Sequence, residues 1–213
     1  MENNLFQILR AKSTEKPSNV FLRDLEGRSL TYSECFKMAG QFAQAIQECG
    51  VKEGDRVLVK VEKSFEAVAL YLACIQYGAI YVATNPKSTF EETTYLVQDS
   101  EPALVVFEHG NTESVEIRCE TIGGDNGSLT TLAKSLSGTD ECSRRMDSDI
   151  AAMLYTSGTT GRPKGAMLTH RGLITNARAL HKIWGFDTED VLLHCLPIFH
   201  VHGLFVALHC AML

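Results

Sequence analysis

The sequence predicts an α/β protein built on parallel sheets with crossover helices. Three observations carry this reading. Short apolar runs rich in Val, Leu and Ile alternate along the chain with longer stretches whose apolar residues recur at helical spacing. Ser or Thr precedes several of the longer stretches, twice with Glu three residues later, which is the signature of a helix start. Gly follows two of them, as it does where helices stop.

Taken in order, residues 20–24 and 28–32 flank Glu26-Gly27 and predict a short hairpin. Thr31 and Glu34 form a capping box for a helix whose Phe36, Ala39, Phe42, Ala43 and Ile46 share one face, ending at Gly50. Val57, Val59 and Val61 alternate in a strand. Ser64 caps a second helix that ends at Gly78, and AIYVAT is the next strand. Thr89 and Glu92 cap a third helix, and ALVVF after Pro102 reads as a buried strand. Residues 108–148 are less regular, with Gly123, Gly124, Gly127 and Gly138 among hydroxyl residues, a strand near Ile117 and a short helix over 129–136. Then come IAAMLY, a polar loop and GAMLT, a helix over 170–184, a strand over 190–195 and a last helix opening at Gly203. The organisation expected is a first α/β unit over 1–107, an irregular excursion over 108–148 and a loop-bearing unit over 149–213.

Composition narrows the function classes. At 45% hydrophobic and 22% charged residues the chain is ordinary globular protein rather than collagenous or disordered. Its 26 acidic and 20 basic residues, with no basic block, argue against nucleic acid as a partner. Seven cysteines at irregular spacing predict no disulfide framework and a reducing compartment, hence a cytoplasmic protein. The start lacks the pattern of a secretory signal, and a mitochondrial placement stays open. The uncharged stretch 193–213 has spanning length, but Pro197 and four histidines mark it as buried protein and not a transmembrane segment. The apolar ending LFVALHCAML predicts that the chain is a fragment of a longer protein, and that residues 204–213 leave unburied apolar surface.

The segment richest in chemistry is Y-T-S-G-T-T-G-R-P-K-G, residues 155–165. Glycines let backbone N–H groups turn toward an anion, hydroxyls add short donors, and Lys164 adds a cation. Together they describe a phosphate cradle. It is not a Walker loop, because Lys164 precedes Gly rather than Ser or Thr. The same composition would also suit an exposed hairpin loop with a surface lysine. The second cluster is H-C-L-P-I-F-H-V-H-G, residues 194–203. His200 and His202 could ligate a metal with His194, His209, Cys195 or Cys210, could be core histidines, or could line a substrate site. The paired spacing of a structural zinc site is absent, and the prediction is no metal ligands.

These two motifs resemble those of the adenylate-forming superfamily: acyl-CoA synthetases, aryl-CoA ligases, luciferase-like enzymes and peptide-synthetase adenylation domains. Within it, V-E-K-S-F-E-A-V-A-L-Y-L-A-C (61–74), A-M-L-T-H and L-P-I-F-H-V-H-G-L-F-V-A are closest to the malonyl-CoA synthetases, while V-A-T-N-P at 82–86 departs from the usual P-L-N ending. The resemblance implies that the chain is part of the large N-terminal, AMP-binding domain of such an enzyme, with the C-terminal domain absent. It implies an acid–CoA ligase using ATP, Mg²⁺ and CoA on a small carboxylic acid. By the same resemblance Thr156, Ser157, Gly158, Thr159, Thr160, Gly161 and Lys164 bind the ATP phosphates. His200 and Lys164 act in catalysis, and His200, His202 and Gly203 line the acyl pocket. A polar imidazole at His202, where aryl-CoA ligases usually carry an aromatic residue, points to malonate or methylmalonate. A medium-chain or aryl acyl-CoA ligase, and a non-catalytic nucleotide-binding fragment, are the alternatives. The cation for malonate's second carboxylate is expected beyond Leu213, and the isolated fragment is expected to be inactive.

Overall fold

The computed structural model describes residues 4–124, 126–156 and 162–213. Among them one mixed, mostly parallel sheet organises the chain. It comprises β3 (Arg56–Lys60), β4 (Ile80–Ala83), β5 (Leu104–Glu108), β6 (Cys119–Ile122), β7 (Ile150–Thr156) and β8 (Lys164–Thr169), in the order β6-β5-β3-β4-β7-β8. All neighbours are parallel except β7 and β8. That last pair departs from a wholly parallel sheet for a simple reason. Residues 157–163 are too few for a crossover, which needs about a dozen residues or more, so the chain returns as a hairpin. A separate two-stranded ribbon pairs β1 (Val20–Arg23) with β2 (Ser29–Thr31).

Helices cover both sheet faces. Val57, Val59, Tyr81, Ala83, Leu104, Val106, Ala152 and Leu154 pack in one core. They share it with α2 (Tyr32–Glu48), α3 (Phe65–Tyr77), α5 (Ser128–Ser135) and α6 (His170–Trp184). The alternate residues Leu58, Val82, Val105, Phe107 and Met153 pack on the opposite face against Leu96 and Val97 of α4 (Phe90–Ser100). β3 is therefore buried on both faces, which alternating valines alone did not reveal.

The capping signals predicted from the sequence are present. Thr31 and Glu34 exchange hydrogen bonds at the start of α2, as do Thr89 and Glu92 at α4. The Ser64 hydroxyl accepts from the Ala67 N–H. Gly78 ends α3 at φ +87°, where a side chain would be strained.

The structure adds one helix and removes one strand. α1 (Leu5–Ser13) buries Leu5, Phe6 and Leu9, and its Asn4 amide donates to the carbonyls of Ile75 and Ser143. Residues 190–195 form no strand: Val191 and Leu193 are exposed, and no described strand lies alongside to pair with them. The apolar end is not left uncovered either. Leu204, Phe205, Leu208, Cys210 and Met212 are buried in a π-helical stretch, His202–Leu208, that continues into α7 (His209–Met212). No described helix is long and apolar enough to cross a membrane.

Two histidines belong to this core. His170 Nδ1 accepts from the Leu5 N–H at 3.0 Å, so the neutral ring carries its proton on Nε2. His209 Nε2 lies 2.7 Å from the Tyr71 hydroxyl. Burial pushes His170 down to about 4 and His209 down to about 3. The unfolded chain then binds protons that the folded chain refuses. Stability should be intact above about pH 6.5 and fall as the pH drops from there toward 4, at up to about 1.4 kcal/mol per pH unit for each imidazole. Urea unfolding from pH 7 to 4.5 should show this decline, and His170→Asn, which keeps an acceptor for Leu5 but cannot titrate, should flatten it. An equal slope in that variant would contradict the assignment.

Candidate active site

Both described ends of the hydroxyl- and glycine-rich segment 155–165 sit at the carboxyl edge of the sheet. β7 runs parallel to β4, and Thr156 is its last residue, paired in register with Lys164 at the start of β8. Ligands of open α/β sheets bind outside this edge. Thr156 and Lys164 are both exposed there. Ser157, Gly158, Thr159, Thr160 and Gly161 lie outside the described residues.

Both ends of the loop are held by α4. The Tyr95 hydroxyl donates to the Pro163 carbonyl at 2.9 Å, and the Arg162 guanidinium lies 5.9 Å from the Tyr95 ring centroid. One turn on, Asp99 Oδ2 accepts from the Tyr155 hydroxyl at 2.6 Å. Partial burial, together with the Asp99 carboxylate, pushes the Tyr155 phenol above its ordinary range, so it stays a donor. None of these α4 contacts could be read from the motif itself.

The histidine cluster divides by environment. His209 is core. His194 Nε2 lies 2.9 Å from the Gly203 carbonyl; a carbonyl only accepts, so Nε2 carries the proton. Lys63 Nζ donates to the His194 carbonyl at 2.6 Å and the Leu196 carbonyl at 3.3 Å. Lys63 stands three residues past the end of β3, at the same carboxyl edge that carries Thr156. It therefore ties residues 194–196 to the edge that carries Thr156. Sequence reasoning passed over Lys63, because its role depends on a segment more than a hundred residues away.

The following turn presents His200 and His202 to solvent, His200 with its ring beside Phe199. His202 opens the π-helical stretch, a form found often at functional sites. Gly203 is buried, and a Cβ there would overlap the Pro197 carbonyl oxygen and lie 2.8 Å from its carbon. Backbone meets backbone, and glycine alone allows it. No described hydrogen bond or ion pair links His200 or His202 to Thr156 or Lys164. Among the described residues no three His, Cys, Asp or Glu side chains converge on one point.

Comparison with known proteins accords with this geometry. The family model for AMP-binding enzymes matches residues 9–213. The chain is 30% identical over 179 residues to a malonate–CoA ligase of Arabidopsis thaliana, covering 79% of the chain and 29% of the relative. It is 29% identical over 208 residues to a 4-coumarate–CoA ligase of Humulus lupulus, covering 87% and 37%. The crystal structure of apo MatB from Rhodopseudomonas palustris superposes with a TM-score of 0.93 at 38% identity, covering 100% of this chain and 44% of that one. The chain thus spans less than half the length of each of these relatives. From the carboxyl-edge loop, the fold around it and the match over residues 9–213, the chain belongs to the family of AMP-binding enzymes.

Proposed function

We propose that this chain supplies the phosphate-binding and acyl-entry part of an ATP-dependent acid–CoA ligase acting on malonate, with methylmalonate as a second substrate. A carboxylate oxygen attacks the α-phosphorus of ATP and pyrophosphate leaves. The CoA thiol then displaces AMP from the acyl-adenylate to give malonyl-CoA. The observation that carries this reading is the hydroxyl- and glycine-rich loop with its one lysine at the carboxyl edge, Thr156 and Lys164 being paired across its base. Relatives named for malonate and other carboxylic acids support the reaction class.

In this reading Thr156, Ser157, Gly158, Thr159, Thr160 and Gly161 wrap the β- and γ-phosphates. Lys164 touches the same oxygens, where charge builds as pyrophosphate leaves. Mg²⁺ would neutralise the phosphates as part of MgATP. His200 stands beside the reacting carboxylate, and His202 and Gly203 line the acyl pocket. The exposure of His200 and His202 on a turn tied to the same edge favours this placement. A polar His202 favours a small polar acid over an aryl one.

Two results test this in the intact protein. His200→Ala should lower turnover with every acid, whereas His202→Phe should shift preference from malonate toward more apolar acids. Losing a hydrogen bond to a buried polar group costs about 1–3 kcal/mol, or roughly 5- to 150-fold in discrimination. A wild-type preference for 4-coumarate or a medium-chain acid over malonate would replace the malonate reading with that ligase. The 213 residues by themselves are expected to release no AMP, because groups that act as a unit do not compensate for missing members. Steady malonate-dependent AMP release by the chain alone would contradict that.

A further inference from the structure

The described ends of the phosphate loop are each fixed one residue away from a phosphate-binding candidate. Pro163, held by Tyr95, precedes Lys164; Tyr155, held by Asp99, precedes Thr156. We propose that Tyr95 and Asp99 are positioning residues that set where Lys164 and Thr156 stand for phosphate transfer, a proposal that rests on the phosphate reading of this loop.

The geometry suits the role. Tyr95 and Asp99 are four residues apart on α4, so they share a face and meet both ends of the hairpin together. The Asp99 contact, at 2.6 Å, has the length of a charge-assisted O–H···O⁻ bond. Among the described residues β8 is the edge strand of the sheet, paired with β7 alone. Without α4, its first residue Lys164 would be held by β7 alone.

α4 is itself anchored to the sheet. Lys60 of β3 is buried and donates to the Thr93 hydroxyl of α4 at 3.0 Å and to the Ser88 carbonyl at 2.7 Å. Its ammonium also meets both Glu113 carboxylate oxygens, at 2.7 and 2.9 Å. A buried, fully engaged ammonium holds one geometry. A continuous set of contacts therefore runs from the sheet interior through α4 to both ends of the loop. Displacing a reacting group by about 1 Å can cost up to about 10²-fold in rate, which gives such a brace a catalytic consequence.

Tyr95→Phe and Tyr155→Phe each remove one hydroxyl and keep the ring, and Asp99→Ala removes the carboxylate that accepts from Tyr155. In the intact protein, Tyr95→Phe, Asp99→Ala and Tyr155→Phe should each lower kcat for ATP–pyrophosphate exchange about tenfold. KM for the acid and the melting temperature should stay close to wild type. Asp99→Ala combined with Tyr155→Phe should be no slower than either alone, since both delete the same bond. Lys164→Ala serves as the control for the phosphate reading. If it slows exchange while the α4 variants run at the wild-type rate, the positioning role is overturned and the phosphate reading stands. If Lys164→Ala leaves exchange unchanged, the phosphate reading falls and takes this proposal with it. Earlier melting of the α4 variants, with all kinetic parameters reduced in step, would reduce α4 to a purely structural element and also overturn the proposal.

Discussion

Replacing Lys164 by alanine in the intact protein should slow acid-dependent ATP–pyrophosphate exchange by about 10²–10³-fold, the usual cost of losing one preorganised donor to developing charge. Lys164 opens β8 in register with Thr156, so its backbone is placed by the sheet and only the ammonium is lost. The KM for the acid should change little, because the carboxylate is assigned to the turn at His200. Thr160→Ala, chosen from the loop's composition, should act in the same direction with a smaller effect, because a neutral hydroxyl contributes less than a cation. Exchange at the wild-type rate in both variants would remove the loop from the chemistry.

Gly203→Ala should be among the most damaging glycine substitutions at the described positions. The added carbon overlaps the Pro197 carbonyl oxygen, and both contacting segments are backbone, so no side chain can swing away. Overpacking of this kind costs about 1–3 kcal/mol. In a chain of this length each kcal/mol lowers the melting temperature by about 2–4 °C. Relief would require the Leu196–His200 turn to shift, and that turn carries His200 on a backbone tied by Lys63 and His194. Activity should therefore fall with every acid, beyond what the loss of folded protein explains. Thermal unfolding followed by circular dichroism, alongside turnover at a temperature where both proteins are folded, separates the two effects. An unchanged midpoint and unchanged turnover would show that the turn is looser than its packing indicates.

Much of the fold was legible because its signals are local. A capping box such as Thr31–Glu34 or Thr89–Glu92 spans four residues, and the hydrogen bonds it predicts are made within them. What escaped depends on partners distant in sequence. α1 contributes Leu5, Phe6 and Leu9 to a core whose other members begin at Cys35, so its apolar residues looked like an unremarkable terminus. The predicted strand at 190–195 has a short apolar run, Val191–Leu193, but a strand exists only by pairing, and no described strand lies beside it.

The site shows the same division. The loop and the histidine turn were recognisable as strings of residues. The contacts that brace them were not: Tyr95 reaches Pro163 across 68 positions and Asp99 reaches Tyr155 across 56. Counting histidines near the end of the chain likewise hid three different environments. His209 is buried against Tyr71, His194 is bonded to Gly203, and only His200 and His202 face solvent. Burial, which one sequence does not display, makes that distinction.

The most direct test is two-dimensional NMR of the isotope-labelled chain titrated with MgATP, pyrophosphate and adenosine. MgATP and pyrophosphate should both shift the backbone amides of Thr156, Lys164 and Gly165, with smaller shifts at Tyr95 and Asp99 on α4. Adenosine, which lacks phosphates, should leave all five unmoved. If MgATP and pyrophosphate leave Thr156 and Lys164 unshifted at concentrations that perturb other parts of the chain, or perturb nothing, the loop does not bind phosphates.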